Sequence, residues 1–174
     1  MNPELKKKLL ERLFSSEAYY LEMMEYYTAA LNAAKEALNW FEQHQPTTEK
    51  PVLDSLHAWK IRVIPNMEGY LSGKEEDVEQ YRLGDPDYME GTAFNVMSLN
   101  RNISQNVSEK WWDYVPQELQ DAYFDNLYKA SKMAANIAWT LGDAWNDDEI
   151  LQERITGPID EQQLLKYLKP GEHA

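Results

Sequence analysis

The chain has 174 residues, of which 43% are hydrophobic and 12% aromatic, so it has the size of one domain and is too apolar to be disordered throughout. It has no cysteine, which excludes disulfides, thiol nucleophiles and cysteine-ligated metal centres. Its 30 acidic and 17 basic residues give a net charge of −13, which argues against direct binding to nucleic acid or to an anionic membrane. We therefore expect an acidic, soluble domain that acts on something other than these polyanions.

The first predicted element is a long helix from about Pro3 to Gln43. Apolar residues recur there every three or four positions in two adjacent stripes, which make a broad apolar face. One stripe holds Leu10, Leu13, Tyr20, Met24, Tyr27, Leu31, Ala34, Leu38 and Phe41, and the other holds Tyr19, Met23, Tyr26, Ala30, Ala33, Ala37 and Trp40. Glu17 is the only acidic residue in these stripes. This width predicts that the helix is the spine of the fold.

A second helix is predicted from Thr47 or Thr48 to Gly73. The threonines suit a helix N-cap, and Pro51 suits the first turn. Pro65 falls inside the helical pattern and predicts a kink, because it lacks a backbone N–H. The β-branched run over residues 61–65 leaves a short strand as the alternative, and the kinked helix is the favoured interpretation.

Two further helices are predicted after a polar connector over residues 74–87. The third covers residues 87–114 and is rich in asparagine and serine, whereas the fourth runs from Pro116 to about Trp145 with apolar residues on two neighbouring faces. The apolar pattern weakens beyond residue 146. We therefore expect an all-α fold: a bundle of about four long helices over residues 1–146, with an acidic, partly helical tail over residues 147–174 that docks on it.

Targeting signals are not expected in this sequence. No apolar stretch approaches the roughly 20 residues needed to span a bilayer, and charged residues interrupt the hydrophobic start of the chain. The sequence predicts a cytoplasmic protein.

The negative charge is concentrated in two segments. Residues 75–91 contain seven acidic residues and one basic residue, and residues 147–174 contain seven acidic and three basic residues. These segments carry −6 and −4 of the net −13, whereas the predicted helices are close to neutral. If the charge served only to keep the protein soluble, it could be spread over every exposed surface. Its concentration in two segments therefore indicates a role for these segments.

Catalytic and metal sites find little support. No glycine–x–serine–x–glycine motif is present, and the only histidines are His44, His57 and His173. A metal site in the bundle would need a partner such as Glu17 for His57, and a structural or exposed histidine is the simpler interpretation. We therefore predict no catalytic residue, no bound metal and no cofactor.

The leading hypothesis is a non-enzymatic module that binds a basic surface of another protein, without contacting nucleic acid or membrane. Acidic patches accelerate association with such a surface, and aromatic anchors then hold the complex. The predicted contact residues are the acids of the two segments and one tryptophan: Glu75, Glu76, Asp77, Glu79, Asp85, Asp87, Trp112, Asp147, Asp148 and Glu149. This small, acidic, cysteine-free composition is typical of inhibitors and of immunity or anti-defence proteins.

Two alternatives come from other classes. The first is a sensor or enzyme that binds a small ligand or metal between its helices, with the candidate residues Glu17, His57, Asn95, Asn100 and Trp111. The second is a homo-oligomer in which another copy of the chain covers the broad apolar face of the first helix.

Overall fold

The computed structural model describes residues 3–72 and 109–141, together with Gln162. These residues are helical apart from short connections, and no strand occurs among them. The helices are α1 (Pro3–Phe14), α2 (Glu17–His44), α3 (Lys50–Ala58), α4 (Ile64–Ser72) and α5 (Gln117–Leu141). A π turn (Trp59–Val63) joins α3 to α4, and a 3₁₀ turn (Lys110–Tyr114) precedes α5. The all-α prediction is confirmed.

The predicted first helix is in fact two helices, α1 and α2. Ser16 has an extended backbone and is the N-cap of α2, where its Oγ accepts a hydrogen bond from the Tyr19 N–H at 3.2 Å. The same hydroxyl donates to the Leu13 carbonyl at 2.6 Å, near the end of α1. The two bonds hold the chain in a sharp break, so the prediction of one continuous helix was wrong at Ser15 and Ser16.

Helix α2 ends in a left-handed residue. Gln45 has φ 44° and ψ 59°, and its N–H donates to the Phe41 carbonyl at 2.8 Å. Pro46 follows at once and prevents the helix from resuming. The neighbouring Trp40 carbonyl lies 2.8 Å from His44 Nδ1, at hydrogen-bond distance, and the rings of Trp40 and His44 stack with centroids 4.5 Å apart.

A π turn directly precedes Pro65, the residue at which the sequence predicted a kink. Pro65 has no N–H to donate to the Ile61 carbonyl four residues earlier, and its ring would crowd that carbonyl in a regular α-helix. The chain widens just before this point, where the Ile64 N–H donates to the Trp59 carbonyl five residues back. The segment stays helical, so the alternative of a strand over residues 61–65 was wrong.

Helices α2 and α5 run antiparallel and form the centre of the core. Asn136 Nδ2 donates to the Tyr19 hydroxyl at 3.1 Å, and Lys129 Nζ lies 5.3 Å from the centroid of the Tyr26 ring. A step of seven residues forward along α2 thus matches seven residues backward along α5. Both apolar stripes of α2 are largely buried within this chain, mainly against α5.

Helix α4 and the π turn also contact α2. The Tyr27 hydroxyl donates to the Met67 carbonyl at 2.9 Å, and Lys60 forms an ion pair with Glu42. Lys35 also pairs with Glu68 of α4, so α4 and the π turn contact α2 between Tyr27 and Glu42. Helix α1 covers the start of α2 and the end of α5 with Leu9, Leu10, Leu13 and Phe14.

The later predicted elements are described only in part. The predicted third helix, over residues 87–114, lies outside the described residues except for its end, which is the 3₁₀ turn and not α-helix. Pro116 directly precedes α5, and its carbonyl accepts bonds from Leu119 N and Gln120 N. The predicted boundary at residue 146 lies outside the described residues. None of the described helices is both long and apolar enough to span a bilayer.

Candidate functional site

Of the predicted partner-binding residues, only Trp112 lies among the described residues. The nine acids (Glu75, Glu76, Asp77, Glu79, Asp85, Asp87, Asp147, Asp148 and Glu149) lie outside the described residues. Trp112 is described, and it is only 2% exposed. Its side chain belongs to the core and is not open to a partner in this conformation.

Trp112 is part of an aromatic cluster made of Phe41, Trp59, Trp111, Trp112, Tyr123 and Phe124. Trp59 is fully buried in this cluster. Its ring meets Trp111, Trp112 and Tyr123 edge to face, with centroid distances of 5.5, 5.5 and 5.6 Å. These are favoured geometries for aromatic pairs, and each adds to the free energy of burial. The cluster joins α2, the π turn, the 3₁₀ turn and α5 into one core.

Both adjacent tryptophans are buried because the 3₁₀ turn is enclosed from two sides. The Phe41 ring of α2 lies 6.3 Å from Trp111, whereas the Tyr123 ring of α5 stacks on Trp112 at 4.9 Å. Gln120 fixes the same turn through its Nε2, which donates to the carbonyls of Trp112 and Val115, each at 2.9 Å. The turn is therefore held rigidly in the core.

Three polar atoms of the aromatic cluster are buried without a hydrogen-bond partner among the described residues: Trp111 Nε1, Trp112 Nε1 and the Tyr123 hydroxyl. All three can donate, and a buried donor without an acceptor costs about 1–3 kcal/mol. Contacts between an N–H edge and a ring face offset part of that cost in such clusters. Chemically, the cluster can therefore offer hydrogen-bond donors, and little else.

Glu109 lies next to the aromatic cluster, at the start of the 3₁₀ turn. Burial raises the pKa of its carboxyl group, and the nearby Asp113 carboxylate raises that pKa further. Burial also raises the pKa of the Tyr123 hydroxyl, with a smaller contribution from Glu109.

The residues proposed for a site between helices are not brought together. Lys60 of the π turn pairs with Glu42, which comes 25 residues after Glu17 in α2. His57 lies three residues before Lys60, in α3. At 1.5 Å per residue, Glu17 and Glu42 are about 37 Å apart along α2, so Glu17 and His57 lie near opposite ends of that helix. Both are exposed, Trp111 is buried, and Asn95 and Asn100 lie outside the described residues. Within residues 3–72 and 109–141, no three histidine or carboxylate side chains are grouped to hold a metal ion.

The described core fixes both ends of the chain segment that carries the first acidic cluster. On one side, α4 contacts α2 at Met67, whose carbonyl meets Tyr27. On the other, the 3₁₀ turn contacts α2 through Trp111 and Phe41. Tyr27 and Phe41 are 14 residues apart, or about 21 Å along the helix. Helix α4 and the 3₁₀ turn therefore contact α2 at two different positions along its length.

Sequence reasoning missed the structural importance of Trp59, the π turn and Glu109. The proline at position 65 is the signal for the π turn, whereas no sequence pattern predicts that Trp59 contacts the rings of Trp111, Trp112 and Tyr123. Comparison with family models, with curated proteins and with solved structures found no match for this chain.

Proposed function

We propose that this protein is a non-enzymatic, cytoplasmic binding module that blocks a basic surface of another protein, in the manner of an inhibitor or an immunity or anti-defence protein. The observation that carries the proposal is the charge distribution. Residues 75–91 and 147–174 hold −10 of the net −13, while the chain outside them is nearly balanced. A partner that handles nucleic acid has the kind of basic surface that such a module fits.

The described core supports this proposal by fixing the ends of the acidic segment. The segment between Ser72 and Glu109 is joined at one end to α4 and at the other to the 3₁₀ turn. Both of these elements are packed on α2. Fixing the ends of a binding segment lowers the entropy lost on association, which favours affinity.

The finer architecture is part of the same proposal. We propose that the segment over residues 87–108 contributes a third long helix, and that residues 147–174 form an acidic tail with short helices docked on the bundle. The antiparallel packing of α2 with α5 is the geometry on which such a bundle is built.

The test compares two variants that remove the same charge from different places. The first is Glu75→Gln, Glu76→Gln, Asp77→Asn and Glu79→Gln, combined. The control combines Glu25→Gln, Glu36→Gln, Glu118→Gln and Asp125→Asn, four exposed acids of the described helices. Both variants change the net charge from −13 to −9. Only the first removes charge from the proposed contact surface.

Affinity capture from the native host's lysate at low salt, followed by mass spectrometry, identifies the partner for these variants. We then expect the first variant to associate with that partner about tenfold more slowly than the wild-type protein, and with a flatter dependence on salt. The control variant should associate nearly as fast as the wild type. Equal slowing by both variants, or a rate that does not change between low and high salt, would contradict the proposal.

A second candidate function is binding of a small ligand between the helices, and the three unpaired donors of the aromatic cluster favour it. A ligand that supplies an acceptor to Tyr123 would raise the melting temperature by mass action. The measurement is a thermal-shift screen of small metabolites on the wild-type protein and on Tyr123→Phe, which keeps the ring and removes the hydroxyl. A stabilising compound that acts equally on both proteins does not bind through this hydroxyl.

A further inference from the structure

The exposed apolar side chains of the described helices point to a second surface. Of the four large hydrophobic residues that are exposed, two lie on α3 and the π turn: Leu53 is 39% exposed and Ile61 is 54% exposed. His57, also exposed, lies midway between them in the sequence. We call the surface made of Leu53, Asp54, His57, Ile61 and Arg62 the α3 surface.

The π turn aligns the apolar residues of the α3 surface. In a regular α-helix, residues four apart are rotated by about 40°, so a row of such residues drifts around the helix. A π turn takes more residues to complete one turn, and this rotates the following residues back. Leu53, His57 and Ile61 therefore lie closer to one straight line than an α-helix would allow.

Two opposite charges flank this line on the same side. Asp54 and Arg62 each follow a residue of the line by one position, and both are exposed. Neither forms an ion pair with another described residue, unlike Lys60 with Glu42 or Lys35 with Glu68. Asp54 lies near one end of the line, and Arg62, eight residues later in the sequence, lies near the other end.

We propose that the α3 surface binds a second copy of this chain in a two-fold symmetric, antiparallel arrangement. A two-fold axis at His57 places Leu53 of one copy opposite Ile61 of the other, because each lies four residues from His57. The same axis brings Asp54 of one copy to Arg62 of the other, twice. The surface is thus complementary to itself in both apolar contacts and charge.

A second copy fits the α3 surface better than a generic acidic or basic partner does. A partner with one sign of charge would pair with either Asp54 or Arg62 and repel the other. The proposed dimer pairs both. The broad stripes of α2, by contrast, are largely buried within the chain and are not available for such a contact.

The first experiment measures molecular mass by sedimentation equilibrium at protein concentrations up to about 1 mM, in about 0.15 M salt. We expect a reversible dimer in the wild-type protein. Ile61→Asp should raise the dimer dissociation constant about tenfold or more, because it places a carboxylate in the apolar line of both copies. Leu21→Asp is the control, since Leu21 is 45% exposed on α2, away from the α3 surface, and it should leave the dissociation constant unchanged.

The second experiment reverses the charges. Asp54→Arg and Arg62→Asp should each weaken dimerisation, because each opposes like charges across the two-fold axis. The double variant restores both pairs in reversed order and should recover the wild-type dissociation constant. All four side chains changed in these two experiments are exposed, and circular dichroism verifies that each variant keeps its fold. A monomeric wild-type protein, equal weakening by Leu21→Asp, or no recovery in the double variant would overturn the proposal.

Discussion

Trp59 is one of the largest fully buried side chains of the described core, so its replacement should have a large effect on stability. Replacement of a buried tryptophan by alanine costs about 3–5 kcal/mol through lost burial and the cavity that remains. Trp59 is fully buried and makes three edge-to-face contacts, each contributing about 0.5–1.5 kcal/mol beyond burial. We therefore expect Trp59→Ala to lower the free energy of unfolding by about 4–5 kcal/mol, at the upper end of that range.

A loss of this size is a large part of the roughly 5–15 kcal/mol that stabilises an ordinary domain. For a chain of this length, it corresponds to a fall of about 10–20 °C in melting temperature. Urea denaturation followed by far-UV circular dichroism measures the change without relying on tryptophan fluorescence. The matched control is Trp40→Ala, because Trp40 is half-buried and stacks on the exposed His44.

We expect Trp40→Ala to cost less than half as much as Trp59→Ala. If Trp59→Ala costs less than about 2 kcal/mol, below the usual range for a buried tryptophan, the burial and ring contacts of Trp59 do not stabilise the core as expected. Equal costs for the two variants would show that the number of ring contacts does not determine stability here.

Three smaller predictions concern single sites. Ser16→Ala removes the acceptor for the Tyr19 N–H and should destabilise the protein by about 1 kcal/mol in urea denaturation. Gln45→Gly should instead stabilise it by about 0.5–1 kcal/mol, because glycine adopts the observed φ of 44° without steric cost; a loss of stability would show that the glutamine side chain matters more than its backbone. For Glu109, burial and Asp113 raise the carboxyl pKa above its ordinary 4.5, so its contribution to stability is present below pH 4.5 and is lost as the pH rises through the folded-state value. Glu109→Gln should therefore be more stable than the wild type at pH 7, and this advantage should shrink as the pH falls towards 4, which denaturation of both proteins at the two pH values would test.

Apolar spacing was enough to predict helices over most of the described residues, but it did not reveal the break between α1 and α2. Leu13 and Tyr20 keep the same apolar stripe across the break, so the period alone does not detect it. The local signals are Ser16, a favoured N-cap residue, and Glu17, an acid suited to a first turn. The hydrogen bonds made by the N-cap residue compete with continuation of the helix. Only the types of residue at the break, and not the apolar spacing, indicate which of the two is favoured.

The burial of Trp112 could not be predicted because it depends on contacts between distant parts of the chain. Adjacent residues of a helix point in different directions, so one apolar face cannot cover both Trp111 and Trp112. The 3₁₀ turn buries both because α2 covers it from one side and α5 from the other. Phe41, which contacts Trp111, and Tyr123, which contacts Trp112, are 82 positions apart in the sequence. A local sequence pattern cannot predict burial that depends on contacts with two distant helices.

The two proposed surfaces respond to salt in opposite directions. Capture of a basic partner depends on attraction between opposite charges, so raising the salt concentration should weaken it. Two copies of this chain each carry −13 and repel one another, and salt screens that repulsion. The exposed Asp54–Arg62 pairs contribute little by comparison, since surface ion pairs are worth about 0–1 kcal/mol. Self-association should therefore strengthen with salt.

Neutralising the acidic segment separates the two surfaces in one protein. The variant with Glu75, Glu76, Asp77 and Glu79 replaced by their amides loses four negative charges per copy. It should capture the basic partner more slowly, because the attractive charge is gone. The same variant should dimerise more tightly than the wild type, because less charge opposes the approach of two copies. Sedimentation equilibrium at low salt measures the second effect, and weaker dimerisation of this variant would mean that the acidic segment itself takes part in the contact between copies.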